Sequence, residues 1–185
     1  LAVSAALRGA ELARFRRGEG VSVAYSKSAL TDIVTEADRE TEQLVRSLLI
    51  AARPDDGFVG EEFDPTPSKS GISWVVDPID GTVNFLYGLS PYAVSIAAIE
   101  GDPAGAWEPL VGAVVNVPEN RVFSAARGHG AYLDGRRLAA GTTTELEVAL
   151  VSTGFSYQPA IRGKQNRVIG QILEQIRDIR RFSCA

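Results

Sequence analysis

The sequence predicts an α/β (α+β) protein in which helices pack on a large mixed sheet. Three observations predict this class: apolar residues recur at helical spacing near the amino terminus, short strand-like runs follow one another in the middle, and a further strand and helix begin near residue 150. The chain has 185 residues, of which 45% are hydrophobic and 23% are charged. That length and composition suffice for a sizeable core and argue against intrinsic disorder.

Two helices are predicted in the first third of the chain. The first covers residues 1–17, where apolar side chains alternate with arginines at helical spacing, and is closed by the glycines at 18 and 20. The second begins after Thr35, which is followed three residues later by Asp38 and therefore has the pattern of an N-cap. It runs to about Arg53.

The strands are predicted from short apolar runs bounded by turn residues. The runs are residues 33–34, 58–60, 72–76, 93–99, 110–117 and 121–126, and Asp134-Gly135 marks a tight hairpin after them. A new strand over 149–152 and a helix over 159–176 follow. We therefore predict an N-terminal α/β unit over residues 1–145 that binds metal and phosphate, and the start of a C-terminal α/β unit over residues 146–185.

Composition argues against several classes of protein. No apolar run reaches the roughly 18 to 20 residues that span a bilayer, so neither a membrane segment nor a signal peptide is predicted. One cysteine, Cys184, excludes an internal disulfide, and one histidine, His129, excludes multi-histidine zinc sites. The formal net charge of −4 disfavours nucleic acid as a partner, and a reducing cytoplasm is the predicted compartment.

The densest polar chemistry follows the strand-like run that ends at Val76. Asp77 and Asp80 flank a proline bend, and together with the carbonyl oxygen of Ile79 they offer three hard oxygen ligands of the kind that Mg²⁺ or Mn²⁺ prefers. Gly81 and Thr82 then open a helical turn whose free N–H groups suit a phosphate. The pentapeptide at residues 77–81, taken alone, more often forms only a turn. The prediction of a metal site here therefore depends on the neighbouring residues.

Other carboxylates are predicted to lie close to this loop. Glu61 and Glu62 end another short strand, and Asp32 and Asp38 bracket a junction between a strand and a helix. Open α/β sheets place their sites at the carboxyl ends of strands, and converging carboxylates repel one another unless cations neutralise them. A bound cation would also reverse the local sign of the charge and let an acidic protein hold a phosphate ester.

These blocks resemble the inositol monophosphatase family of Mg²⁺-dependent, Li⁺-sensitive phosphatases. The string DPIDGTVNF starts at Asp77, GEE lies sixteen residues upstream, TDIVTEAD precedes both, and RGHGAYLDG is similar to the family's later hairpin. The resemblance implies the layered αβαβα sandwich of the inositol monophosphatase and fructose-1,6-bisphosphatase type. It also implies a homodimer.

The resemblance implies a role for each matching residue. The residues that would hold metal ions, two or three in number, are Glu61, Asp77, Asp80 and Ile79 through its carbonyl. The residues that would orient and activate water are Glu61, Asp38 and Thr82. The residues that would contact substrate are Asp80, Gly81, Thr82, Ser183 and Ala185. Lys27 matches a basic position on a loop near the site.

Two departures from the family pattern bear on specificity. Ser183 stands where the family has glycine, and the family's later Trp-Asp-x-Ala-Ala-Gly block is not found, so we expect a C-terminal part to be missing. The leading function is hydrolysis of inositol 1-phosphate. Fructose 1,6-bisphosphate, histidinol phosphate and 3'-phosphoadenosine 5'-phosphate are alternative substrates, and a metal-binding regulatory protein of the same fold is the non-enzymatic alternative.

Overall fold

The N-terminal elements are two helices and a small antiparallel strand pair. The computed structural model describes residues 1–21, 23–26 and 33–182. Helix α1 spans Ala2–Glu19, strands β1 (Val23–Ser26) and β2 (Ile33–Thr35) pair with each other, and helix α2 spans Glu36–Ala52. Helix α1 extends two residues beyond its predicted end at Arg17, because Gly18 is accommodated in the helix, while Gly20, at φ 107°, caps it as predicted.

Both helices lie against one face of the main sheet and against each other. The buried positions of α1 are all alanine or glycine, which lets its backbone approach closely. A Cβ atom at Gly9 would lie 3.1 Å from Cγ2 of Val45 on α2 and 3.3 Å from Cγ1 of Val94 on the sheet. The small residues of α1 therefore set the spacing of this helical layer.

Among the described residues, the main sheet has seven strands in chain order, and the runs predicted at 58–60, 72–76, 93–99, 110–117 and 121–126 correspond to the first five. They are β3 (Gly57–Val59), β4 (Ile72–Asp80), β5 (Ala93–Gly101), β6 (Trp107–Asn116), β7 (Arg121–Ala126), β8 (Gly130–Leu133) and β9 (Arg136–Arg137). Strand β3 runs parallel to β4 and every later pair is antiparallel. The predicted hairpin at Asp134-Gly135 is confirmed, since both residues have positive φ, as a two-residue turn of type I′ requires.

The core lies between this sheet and the helices. Alternate residues of the central strands point toward α1 and α2 and are almost completely buried, among them Trp74, Val76, Ile96 and Val115. Residues on the opposite face are more exposed; Val75, for example, keeps 37% of its surface. Burial on one face fixes the register of each strand, because a shift by one residue would turn the apolar set outward.

Strand β4 is longer than the sequence predicted, and this difference shapes the site. The prediction ended the strand at Val76, but pairing with β5 continues to Asp80, with a register shift between Asp77 and Asp80. Pro78 lies at that shift, where its missing N–H costs no ladder hydrogen bond. Helix α3 (Thr82–Tyr87) begins directly after the strand.

A second group of elements follows residue 145. A short 3₁₀ turn at Leu146–Val148 precedes β10 (Leu150–Ser152), helix α4 (Pro159–Ile172), a 3₁₀ turn at Leu173–Gln175 and β11 (Asp178–Arg180). Strands β10 and β11 are parallel. The helix ends earlier than predicted, and none of its residues is buried in the described part of the chain. The domain boundary near residue 145 stays a prediction.

No helix among the described residues combines the length and the apolar character that a membrane crossing requires.

Candidate metal and phosphate site

The parallel pairing of β3 and β4 brings the predicted metal ligands to one edge of the sheet. Parallel strands end at the same edge of a sheet. Glu61 follows the end of β3 by two residues, and Asp77 and Asp80 lie in the last four residues of β4. The carboxyl groups of Glu61 and Asp77 are hydrogen-bonded to each other. The edge therefore joins two blocks of sequence that are sixteen residues apart.

Asp77 is the most strongly perturbed acid of this edge. Burial, and after it the negative charges of Glu61 and Asp80 and the hydrogen bond with Glu61, together raise its pKa to about 8. Its Oδ1 atom is buried without a hydrogen-bond partner among the described residues. A protonated carboxyl with an unsatisfied buried oxygen is the state expected of a cation ligand whose cation is replaced by a proton.

The second carboxylate of the site, Asp38, is tied to the start of helix α2. Its Oδ2 accepts hydrogen bonds from the backbone N–H of Thr35 at 2.8 Å and from the Thr35 hydroxyl at 2.5 Å. In return, the backbone N–H of Asp38 donates to the Thr35 hydroxyl oxygen, which completes a capping box. The N-cap predicted from sequence is confirmed, and it holds Asp38 in one orientation.

Asp38 also contacts the loop after β4. The Thr82 hydroxyl lies 3.3 Å from Oδ1 of Asp38 and 3.1 Å from the carbonyl oxygen of Ile79, and its single proton can be donated to either. Burial raises the pKa of Asp38 to about 6, although the hydrogen bonds from Thr35 and Thr82 oppose the shift and the charge of Glu62 adds to it. Asp38, Ile79 and Thr82 thus form one hydrogen-bonded group beside the acidic edge.

The residues after β4 supply backbone groups for an anion. Gly81 has φ 90°, a left-handed conformation that favours glycine, and its carbonyl accepts the first hydrogen bond of α3 from Phe85. Helix α3 has only six residues, so its dipole is short. The Gly81 and Thr82 amides can still reach an anion held mainly by a neighbouring cation.

The donor set fits a hard divalent cation by its chemistry. Glu61, Asp77 and Asp80 offer carboxylate oxygens, and the register shift removes the Ile79 backbone from the regular ladder. Among the residues that the structure describes, no three His, Cys, Asp or Glu side chains are arranged as a complete metal site. Loss of the proton from the Asp77 carboxyl would free a further oxygen for a cation.

A cleft of about 460 Å³ opens beside Asp80 and is bounded on its other side by the C-terminal elements. Thr153, Phe155, Tyr157 and Arg181 line it, and the Arg181 guanidinium lies 5.6 Å from the centre of the Phe155 ring. No prediction from the sequence covers Thr153, Phe155 or Tyr157. The signal that could have found them is their position directly after strand β10, where α/β proteins place ligand contacts.

Several predicted site residues cannot be placed. Lys27, Ser183 and Ala185 lie outside the described residues, as does Asp32. The neighbouring residue Phe182 is described: it lines the cleft, and its carbonyl accepts a hydrogen bond of 2.9 Å from the Asn84 side chain of α3. The C-terminal segment therefore reaches the loop that follows β4.

An α/β fold with clustered carboxylates and a hydroxyl at the carboxyl edge of its parallel strands defines a class of cation-binding proteins. Within that class, the chain belongs to the inositol monophosphatase family, whose model matches residues 1–185.

Relatives agree with this assignment in both sequence and fold. The chain is 41% identical over 180 residues to the inositol-1-monophosphatase of Mycobacterium bovis, covering 92% of this chain and 60% of that protein. It is 40% identical over 120 residues to a histidinol-phosphatase of Chlorobaculum parvum, covering 64% of this chain and 44% of that protein. The solved extragenic suppressor protein suhB of Bartonella henselae matches with TM-score 0.89 and 31% identity over 99% of this chain and 69% of that one. The predicted fold class is confirmed, and the chain spans about three fifths of the length of the first of these relatives.

Proposed function

We propose that this chain provides the metal- and phosphate-binding part of a Mg²⁺-dependent phosphatase that hydrolyses phosphate monoesters of small polyols, with inositol 1-phosphate as the leading substrate. The observation that carries the proposal is that Oδ1 of Asp77 is buried beside Glu61 and Asp80 with no hydrogen-bond partner among the described residues. Negative charges gathered around a buried carboxylate oxygen are costly without a cation.

The residues around this edge suit hydrolysis by an activated water. Glu61, Asp77, Asp80 and the Ile79 carbonyl would hold the ions, which would supply charge stabilisation and a lowered pKa of water. Glu61 and the Thr82 hydroxyl, oriented by Asp38, would position the attacking water and receive its proton. The amides of Gly81 and Thr82 would hold the phosphate oxygens.

Mg²⁺ as the cofactor has support from a solved structure of the same fold. An IMPase/NADP phosphatase in complex with Mg²⁺ and phosphate aligns with TM-score 0.77 over 96% of this chain at 21% identity. That likeness concerns the fold, so the number of ions in this protein stays a prediction. The homodimer implied by the family also stays a prediction, which light scattering would test.

Histidinol phosphate is the second candidate substrate, because a relative is named histidinol-phosphatase. The cleft beside Asp80 combines aromatic side chains with Arg181, and these groups can contact either a polyol or an imidazole ring. Sequence resemblance alone therefore does not separate the two esters.

The experiment is a comparison of initial rates of phosphate release from inositol 1-phosphate, histidinol phosphate and fructose 1,6-bisphosphate, each with Mg²⁺ and with EDTA. We expect release that requires Mg²⁺ and is fastest with inositol 1-phosphate. A faster rate with histidinol phosphate would replace the leading substrate and keep the chemistry. Equal release with EDTA would contradict the metal-dependent mechanism.

A further inference from the structure

Glu42 of helix α2 is a completely buried carboxylate that contacts the segment carrying Glu61. Its Oε2 accepts two backbone hydrogen bonds, from the N–H of Glu61 at 2.8 Å and from the N–H of Glu62 at 2.7 Å. Bonds from charged acceptors to backbone N–H groups are among the stronger hydrogen bonds in proteins. Through these two hydrogen bonds, helix α2 fixes the backbone at Glu61 and Glu62.

The residue before Glu61 leaves room for this contact. A Cβ atom at Gly60 would lie 2.1 Å from Oε1 and 2.2 Å from Cδ of Glu42, far closer than non-bonded atoms approach. Glycine at position 60 lets the carboxylate sit directly against the backbone. Gly60 and Glu42 thus form one matched contact.

Arg46, one helical turn after Glu42, fixes the same segment further along. Its guanidinium lies 3.6 Å from Oε1 of Glu42, donates to the carbonyl of Asp64 at 2.8 Å, and stacks 4.4 Å from the centre of the Phe58 ring. The segment from 58 to 64 is therefore held at both ends by side chains of α2.

A purely structural reason for Glu42 is weak. Burying a carboxylate costs more than burying an apolar side chain, and Oε1 has the Arg46 guanidinium at 3.6 Å as an ion-pair partner but no hydrogen-bond partner among the described residues. What the buried charge provides is a fixed place for two consecutive amides, one of which belongs to Glu61. Groups that hold a ligand residue in this way affect the metal without touching it.

We propose that Glu42 is a positioning residue for the metal site: by accepting the Glu61 and Glu62 amides against Gly60, it fixes the direction in which the Glu61 carboxylate points. The inference rests on the proposed function, since it assumes that Glu61 is a metal ligand. Glu42 itself touches neither cation nor substrate.

Two measurements test this role. Mg²⁺ affinity is measured by calorimetry, and exchange of the Glu61 and Glu62 amide protons is measured by NMR, in the parent protein, Glu42→Ala, Glu42→Gln and Gly60→Ala. Val45→Ala is the matched control, because Val45 is equally buried on the same helix but faces α1 at Gly9. Thermal unfolding of every variant separates lost stability from lost positioning.

We expect Glu42→Ala to weaken Mg²⁺ binding about 10- to 100-fold, the usual effect of removing such a support, and to speed exchange of both amides. Glu42→Gln keeps an acceptor oxygen of the same reach and should recover most of the affinity. Gly60→Ala, which displaces the Glu42 carboxylate, should weaken Mg²⁺ binding as Glu42→Ala does. This variant therefore tests the positioning role even if Glu42→Ala fails to fold. Val45→Ala should lower the unfolding temperature and leave Mg²⁺ affinity unchanged.

Failure of the proposed function and failure of the Glu42 inference would give different results. A parent protein that binds no Mg²⁺ would overturn the proposed function, and the role of Glu42 with it. A parent that binds Mg²⁺ while Glu42→Ala and Gly60→Ala bind it equally well would overturn the Glu42 inference alone. Loss of affinity in Val45→Ala to the same extent as in Glu42→Ala would reduce Glu42 to a structural residue.

Discussion

The hydroxyl of Thr82 and the carboxylate of Asp38 lie 3.3 Å apart although 44 residues separate them in the sequence. The contact joins the first turn of α2 to the first turn of α3, and both turns begin where a strand ends. It places a polarisable hydroxyl beside the acidic edge formed by β3 and β4. In the proposed function, this pair would orient the attacking water.

Removing the Thr82 hydroxyl should reduce activity without unfolding the protein. Thr82→Val keeps the shape of the side chain but cannot pass a proton to Asp38, so we expect phosphate release to fall about 10²- to 10⁴-fold, the usual contribution of positioned acid–base groups. Steady-state kinetics measures the effect. Thr82→Ser is the control that retains the hydroxyl, and an equal loss in that variant would point to packing as the cause.

Neutralising Asp77 should separate the stability of the metal-free protein from metal binding. Because burial and the charges of Glu61 and Asp80 raise the pKa of Asp77 to about 8, folding of the metal-free protein at pH 7 requires this carboxyl to take up a proton, which costs free energy. Asparagine is neutral without that cost, so the metal-free variant should unfold at the same or a higher temperature than the parent. Added Mg²⁺ should stabilise only the parent, by about 2.7 kcal/mol at a hundred times its dissociation constant. Thermal unfolding with and without Mg²⁺ measures both effects. An unchanged Mg²⁺ shift in the variant would remove Asp77 from the ligand set.

Asp56 should make the folded protein sensitive to acid. Burial would raise its pKa, but hydrogen bonds from Arg53, Ser70 and Trp74 outweigh burial and hold the pKa below its usual value. A pKa lowered by folding contributes stability above the unfolded value, near pH 4, and that stability is lost as the pH falls through the folded pKa.

Asp56→Asn tests this linkage by urea unfolding at several pH values. At pH 7 the variant should be less stable by about 1–3 kcal/mol, because its amide turns a donor toward other donors. The gap between parent and variant should narrow below about pH 4. A difference in stability between parent and variant that stays constant down to pH 2 would mean that the ionised Asp56 carboxylate is not what stabilises the contacts with Arg53, Ser70 and Trp74.

Alanine substitutions at two glycines near the end of α1 should change the stability of the protein in opposite directions. Nothing lies within 4 Å of a Cβ at Gly18, which is helical, so Gly18→Ala should stabilise the protein by about 0.5–1 kcal/mol. Gly20 has equal space but φ 107°, so Gly20→Ala should cost about 1–3 kcal/mol. Chemical denaturation measures both, and equal signs would show that the helix ends elsewhere.

Much of the fold could be predicted because local pattern and tertiary structure agree. The capping residues Thr35 and Asp38 are a local signal for the start of a helix, and the Asp134-Gly135 turn depends mainly on its own two residues. The end of β4 could not be predicted, because Pro78 normally interrupts a strand and only the register shift against β5 accommodates it. The predicted end of α1 lay two residues early, because Gly18 remains helical and Gly20 is the residue that caps the helix.

The site was predictable where its residues are adjacent in the sequence and less so where the fold assembles it. The residues from Asp77 to Thr82 carry their chemistry in one block. Glu42, by contrast, reads as one acidic residue among several on a helix, and only the structure shows it beneath Glu61. The aromatic residues Phe155 and Tyr157 likewise gain a role only because the C-terminal elements fold toward Asp80.

The most direct test of the central claim is Mg²⁺-dependent phosphate release from inositol 1-phosphate by the protein and by Asp80→Asn, matched for folding by circular dichroism. The account predicts that release requires Mg²⁺ and is abolished in Asp80→Asn, because the carboxylate edge loses a ligand. Undiminished release in a folded Asp80→Asn protein would contradict the account.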